Sequence, residues 1–65
     1  MLSDAEIDRV RRDVEEALGP APLAIDELIR LCRAPAQAVL AVLLELELAG
    51  KLTRHPGNAV SWSSA

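Results

Sequence analysis

Apolar residues recur at helical spacing in the first part of the chain, which predicts an amphipathic helix over residues about 4–18. These residues are Ile7, Val10, Val14, Ala17 and Leu18. Ser3 and Glu6 have the spacing of a capping box, in which each side chain bonds the other residue's backbone amide. Gly19 and Pro20 are predicted to end the helix, because glycine accepts a left-handed conformation and proline bars continuation.

The middle of the chain predicts a short strand and two further helices. Residues about 23–25 form an apolar run that is long enough only for a strand added to a small sheet. A second helix is predicted over about 25–32 and a third over about 35–49. Pro35 suits the first turn of the third helix, and Gly50 is well placed to cap its end.

After Gly50 the period of the pattern changes from helical to alternating, which predicts a β-hairpin over about 51–63. Pro56 and Gly57 suit the central positions of a type II turn between its strands. Two helices joined by a tight turn and followed by a β-ribbon are typical of a winged helix-turn-helix. The fold class is therefore predicted to be small α+β, with residues 1–65 forming a single winged-helix domain.

Composition narrows the chemistry. The chain has 65 residues, of which 51% are apolar, and Trp62 is its one aromatic residue. The single cysteine, Cys32, excludes a disulfide framework and a multi-cysteine zinc site, and it lies on an apolar helical face as a core residue would. The sequence contains no glycine-rich phosphate loop and no recognisable set of catalytic residues. We therefore expect no enzyme activity, no catalytic residue, no metal, no cofactor and no small-molecule substrate.

Charge and hydropathy bear on partners and location. No apolar run approaches the roughly 20 residues of a membrane span, and the N-terminus lacks the parts of a signal peptide, so a cytoplasmic protein without a membrane partner is expected. The net charge of −3 argues against general affinity for phosphate. Only the segment of residues 51–65 has a net positive charge, from Lys51 and Arg54. Acids alternate with arginines in the first helix, which favours a solvated face with pairs such as Asp8–Arg12.

The outward face of the third helix is the first candidate site. Projection at 100° per residue places Val39, Leu43 and Leu46 inward, flanked by Leu40 and Val42. The opposite side carries a strip of four residues, Gln37, Ala41, Leu44 and Leu48. The helix has no Lys or Arg and two acids, whereas base readout needs Arg, Lys, Asn or Gln. The pattern favours protein contact, with burial under the first helix and base reading through Gln37 as the alternatives.

The hairpin, or wing, is the second candidate site. Lys51, Arg54, His55 and Asn58 are the residues that could contact DNA there. Phosphate contacts need no particular sequence, and two or three cations imply weak binding that falls with salt. The alternative is that these are solvated hairpin residues, which also protect an edge strand from pairing.

Four segments within residues 18–62 resemble the C-terminal winged-helix domain of the DNA-processing protein A family (DprA, also called Smf). They are Leu18-Gly19-Pro20, Ile25-Asp26-Glu27-Leu28, Leu43-Leu44-Glu45-Leu46-Glu47-Leu48-Ala49-Gly50 and Arg54-His55-Pro56-Gly57-Asn58. The Leu-Glu-Leu-Glu-Leu-Ala-Gly run before a Pro-Gly wing is the more specific signal. Many transcription regulators share only the skeleton of Leu43, Leu46, Glu47 and Gly50.

The resemblance implies a parent protein that binds incoming single-stranded DNA through a Rossmann-like domain and helps load the RecA recombinase during natural transformation. For this domain it implies an accessory role in DNA processing and recombination. Its partners would be other domains or subunits of the parent protein, or RecA-type recombinase machinery, with at most weak contact to single- or double-stranded DNA through the wing. The alternative is a DNA-binding winged helix of a transcription regulator or of the same parent, led by Lys51, Arg54 and Asn58.

Overall fold

A computed structural model describes residues 2–63 and contains three helices and three strands. The elements in chain order are α1 (Asp4–Ala17), β1 (Leu23–Ala24), α2 (Ile25–Cys32), α3 (Ala36–Leu48), β2 (Leu52–His55) and β3 (Ala59–Trp62). The strands form one antiparallel sheet in the order β1-β3-β2, so the last strand is central. This is the small α+β winged-helix architecture that the sequence predicts.

The start of α1 agrees with the prediction, and its end does not. At its start the capping box is confirmed: Ser3 Oγ accepts from the Glu6 amide at 3.2 Å, and Glu6 Oε1 accepts from the Ser3 amide at 3.1 Å. At its end the helix stops at Ala17 rather than at residue 18. Leu18 is extended, with φ −75° and ψ 142°, and Gly19 does not have a positive φ. The prediction of a left-handed glycine was wrong, because the chain leaves α1 directly in an extended conformation.

The sheet joins the two halves of the chain. β1 has two residues, one fewer than predicted, because Ile25 already belongs to α2. Leu23 pairs with Val60 across the β1–β3 ladder. The N-cap of α2, Ala24, makes no side-chain hydrogen bond, and the Ile25 amide donates instead to the Asn58 carbonyl oxygen at 2.9 Å. A backbone carbonyl group of the wing turn, remote in sequence, therefore takes the place of a side-chain cap at the start of α2.

α3 is one residue shorter than predicted at each end. Pro35 is its N-cap rather than its first helical residue, and its last residue is Leu48. Gly50 has φ 76°, and its amide donates to Glu47 while the Lys51 amide donates to Leu46, both at 3.0 Å. This pair of bonds is a Schellman motif, so the predicted glycine cap is confirmed. It fixes the start of the wing directly against the end of α3.

The core lies between the helices and the sheet and is built from aliphatic side chains. Its fully buried members include Val10, Val14, Leu28, Val39, Leu43 and Val60. Trp62 is half-buried and packs against them, and Cys32 is buried as expected. Leu40 departs from the prediction: it was placed beside the inward side of α3, but 45% of it is exposed. Ala38 is buried instead, so the inward face of α3 is rotated away from Leu40 relative to the prediction.

Candidate interaction surface on α3 and the wing

The outward face of α3 is apolar and open to solvent. We call Gln37, Ala41, Leu44 and Leu48 the α3 strip; all four are exposed. Leu44 is 51% exposed and Leu48 is 79% exposed, so neither is covered by α1. Leu40 borders the strip and enlarges the apolar area. Exposed large apolar residues that are contiguous mark surfaces where a further molecule or domain packs.

One side of the strip is bounded by an ion pair to α1. Arg11 of α1 donates to both carboxylate oxygens of Glu45, with Nη2 at 2.9 Å from Oε2 and 3.2 Å from Oε1. Hydrogen bonding to Glu45 raises the pKa of Arg11. Arg11 also donates to Asp8 at 2.6 Å, so the predicted pair Asp8–Arg12 was wrong, although a pair with the expected four-residue spacing is present between Arg9 and Asp13 at 2.9 Å. Asp8 therefore pairs with Arg11, the same arginine that pairs with Glu45 of α3.

The other side of the strip is bounded by an ion pair to the wing. Arg54 of β2 donates through Nε to Glu47 Oε1 at 3.0 Å. Arg54 is one of the predicted DNA-contact residues, and its guanidinium is held by an acid of α3. Its side chain remains 44% exposed, so the pair can be broken by a competing anion.

The remaining wing residues divide into bonded and unbonded side chains. His55 Nε2 lies 2.7 Å from Ser61 Oγ, and the Ser61 hydroxyl donates to the Trp62 carbonyl oxygen at 3.1 Å. Ser61 Oγ therefore accepts from the His55 ring, which keeps His55 within the hairpin. The side chains of Lys51 and Asn58 are exposed and make no hydrogen bond or ion pair with any part of residues 2–63. Of the four predicted DNA contacts, these two are unengaged.

A shallow groove between α1 and α2 was not predicted. It has a volume of about 390 Å³, and its lining includes Arg9, Asp13, Leu31, Cys32 and Arg33. Leu31, which lines the groove, is 55% exposed. Burial raises the pKa of the Cys32 thiol, which keeps it protonated and unreactive at neutral pH. The charges around the groove have both signs and select for no particular ligand.

Between residues 2 and 63 no helix has the length and apolar character needed to cross a membrane. The same residues contain no group of three or more His, Cys, Asp or Glu side chains that could hold a metal ion.

The family model of the DprA winged helix domain matches residues 2–58 of the 65 in the chain. The matched range contains α1, α2, α3, β1, β2 and the wing turn, and it stops just before β3. No curated protein matches the chain.

Proposed function

This chain belongs to the DprA winged helix domain family, and from that premise we propose that it is an accessory, non-catalytic module that acts by binding protein through the α3 strip. In this role the domain acts in the cytoplasm, in the processing and recombination of incoming DNA during natural transformation. The partners proposed are other domains or subunits of the parent protein and RecA-type recombinase machinery.

The exposed apolar side chains of the α3 strip are the main support for the proposal. Leu44 and Leu48 expose about half and four-fifths of their surface, at 51% and 79%, on the face that a winged helix commonly turns toward DNA. A partner that covers them removes apolar surface from water, which is favourable for a protein and offers nothing to a phosphate backbone. Among the strip residues only Gln37 has a side chain suited to a base edge.

The electrostatics of α3 point the same way. The helix contains Glu45 and Glu47 and no basic residue. Both acids are paired with arginines, so the flanks of the strip are neutral rather than positive. A helix that enters a groove between two rows of phosphates needs cations at those flanks. The arrangement suits a protein surface better than a nucleic acid.

The wing supplies a secondary contact in this proposal. Lys51 and Asn58 have exposed, unengaged side chains, and they can meet a phosphate or a sugar edge. One free lysine gives weak binding with a shallow dependence on salt. This observation also favours the second candidate function, a DNA-binding winged helix that acts through the wing alone.

The test is an NMR titration of the ¹⁵N-labelled chain. A RecA-type recombinase and, separately, the Rossmann-like domain of a DprA protein are added, and single- and double-stranded oligonucleotides are added at low salt. We expect at least one protein to shift or broaden the resonances of the α3 strip. We expect DNA to move only Lys51, Asn58 and their neighbours, with the shifts disappearing as salt is raised. DNA-induced shifts centred on the α3 strip would overturn the proposal.

A matched pair of variants sharpens the test. The double variant Leu44→Glu/Leu48→Glu changes two exposed residues of the strip, so the fold is retained and protein binding is expected to be lost. Leu31→Glu introduces the same chemistry at an exposed leucine of α2, outside the strip, and is expected to bind as the unmodified chain does. Equal binding by the double variant and the control would contradict a role for the strip.

A further inference from the structure

We propose that the outer face of the wing is a pH-dependent contact for the phosphate backbone of DNA, in which protonated His55 acts together with Lys51. The inference deepens the proposed function and rests on its secondary contact through the wing. It concerns three residues that alternate with Leu52 and Arg54 along the chain. We call these residues, Lys51, Thr53 and His55, the outer row.

The outer row lies on the face of β2 that is turned away from the core. Successive residues of a strand point to opposite faces of the sheet. Leu52 is buried in the core and Arg54 reaches Glu47 of α3, so these side chains belong to the inner face. Thr53 and His55 therefore share the outer face, where Arg54 is not present.

Lys51 continues the outer row beyond the end of β2. Its carbonyl oxygen accepts from the Ser63 amide at 2.8 Å, so the pairing of the two wing strands extends to this residue. Lys51 and Thr53 are both exposed, and residues 51–63 include no Asp or Glu. The outer face thus offers a cation and a hydroxyl group with no acid beside them in the hairpin, which is complementary to a phosphate.

Ser61 determines which ring nitrogen of His55 carries the proton. The Ser61 hydroxyl donates to the Trp62 carbonyl oxygen at 3.1 Å, so in the 2.7 Å contact between Ser61 Oγ and His55 Nε2 the nitrogen is the donor. A neutral imidazole has a single N–H, which is therefore at Nε2, and Nδ1 is unprotonated. In this neutral form the ring has to release Ser61 before it can donate to a phosphate.

Nδ1 is the atom of His55 that can gain a proton. Residues 2–63 contain no buried side-chain nitrogen or oxygen without a hydrogen-bond partner, and no residue in this range bonds Nδ1, so Nδ1 is accessible to solvent. A proton bound there gives the ring a second donor and a positive charge, while Nε2 keeps its bond to Ser61. Histidine is the side chain whose charge ordinarily changes between pH 5 and pH 8.

The charged groups around His55 leave this added charge available. β2 packs against β3 and α3. β3 and the wing turn carry no titratable side chain. α3 carries two acids, Glu45 and Glu47, and both are already paired, with Arg11 and Arg54. Protonation of His55 therefore gives the outer row a second cation.

The expected effect is that of one additional exposed ionic contact. DNA should bind about two- to fivefold more tightly at about pH 5.5 than at about pH 8, the range that one exposed ion pair supplies. One more phosphate contact should also steepen the fall of log affinity with log salt by about 0.9 for a duplex and about 0.7 for a single strand. Both changes should be absent when residue 55 cannot be protonated.

The first experiment locates the proton on the unmodified chain. Long-range ¹H–¹⁵N spectra of the imidazole are recorded between about pH 8 and pH 5, and His55 is the one histidine of the sequence. We expect the neutral ring to carry its proton at Nε2 and to gain the second one at Nδ1, with the amide shifts of β2 and β3 little changed. Ser61→Ala should remove the preference for Nε2. A neutral ring protonated at Nδ1, or loss of the β2–β3 pairing on acidification, overturns the inference.

The second experiment measures binding. Fluorescence anisotropy of a short labelled duplex, and of a single strand of the same sequence, is followed at both pH values and at several salt concentrations. His55→Gln is the matched control, because its amide can still donate to Ser61 but it cannot take up a proton. It retains every carboxyl group of the chain, so any effect of their titration appears in both proteins. We expect the gain at the lower pH in the unmodified chain and not in His55→Gln.

The outcomes separate this inference from the proposed function. Equal affinity at the two pH values, or the same gain in His55→Gln, overturns the inference and leaves the wing as a contact that does not depend on pH. No binding of either oligonucleotide at any pH overturns both the inference and the secondary contact through the wing. Protein binding by the α3 strip is decided by its own titration.

Discussion

The indole Nε1 of Trp62 lies 3.0 Å from the carbonyl oxygen of Leu18 and donates a hydrogen bond to it, across 44 positions of sequence. The backbone amide of Trp62 donates to the neighbouring Gly19 carbonyl at 3.1 Å. Carbonyl groups just beyond a helix have no partner within that helix. Trp62 supplies two partners at once, so the end of α1 is held by the last strand of the sheet.

Replacing Trp62 tests this tie. Trp62→Phe keeps an aromatic ring against the core but removes the indole donor, and we expect the free energy of unfolding to fall by about 1 kcal/mol or somewhat more. Urea denaturation followed by far-UV circular dichroism measures it, since the fluorophore itself is removed. Trp62→Ala, which also removes the packing, should cost distinctly more. Equal stability of the Phe variant and the unmodified chain would show that the hydrogen bond contributes nothing.

The pair between Glu47 and Arg54 restrains the wing. Glu47→Gln leaves Arg54 without its acid, and we expect the wing to bind a short DNA duplex about two- to fivefold more tightly at low salt, the range that an exposed ion pair can withhold. Fluorescence anisotropy of a labelled duplex measures the change.

Glu45→Gln is the matched control for that variant. It removes the same charge from the same helix but releases Arg11 of α1 instead of Arg54 of the wing. A gain for Glu47→Gln beyond that of Glu45→Gln identifies the released wing arginine as its source. The same gain in both variants would trace the effect to net charge alone.

The Cys32 thiol is expected to resist modification in the folded chain. It is 2% exposed, and burial, reinforced by Asp13, raises its pKa above the ordinary value of 9.0. Because the thiolate is the reactive form, a disulfide reagent such as DTNB should react slowly with native protein and rapidly in urea. Equal rates in the two conditions would show that the α1–α2 groove opens freely.

The capping box makes the stability of α1 depend on pH. The hydrogen bond from the Ser3 amide holds the pKa of Glu6 below its ordinary value of 4.5. A carboxyl with a lowered pKa in the folded state stabilises the fold above its unfolded pKa, and this contribution is lost as the pH falls through the folded value. Thermal unfolding of Glu6→Ala and of the unmodified chain should therefore differ at pH 7 and converge progressively as the pH is lowered below 4.5. A constant difference in Tm across this range would contradict the assignment.

The sequence predicts those features that short-range rules determine. The Ser3–Glu6 capping box, the Gly50 cap and the positive φ of Gly57 each depend on residues a few positions apart, and all three are present. The end of α1 depends on Trp62, far along the chain, and this is why the glycine rule failed at Gly19. Rules based on neighbouring residues do not include a hydrogen-bond partner that lies on a distant element of the chain.

The same division applies to the candidate surface. Helical periodicity is sufficient to place Leu44 and Leu48 outward, because a single face of α3 meets the core. Periodicity does not show that Arg54 reaches Glu47 across the Schellman turn, or that His55 bonds Ser61 across the hairpin. Both contacts depend on the register of β2 against β3 and on how the wing leans on α3. The prediction that these two residues contact DNA is untested, and the structure shows what each must release to do so.

The central position of β3 has a consequence for the synthesis of the protein on the ribosome. Translation delivers β1 and β2 before β3, and within residues 2–63 each of them pairs only with β3. A nascent chain that has emerged only as far as the wing turn therefore carries three helices and two strands with no ladder to join. A messenger RNA that is truncated at that point yields a product without any sheet. The aliphatic core of this product is uncovered, which makes it a target for cellular proteases.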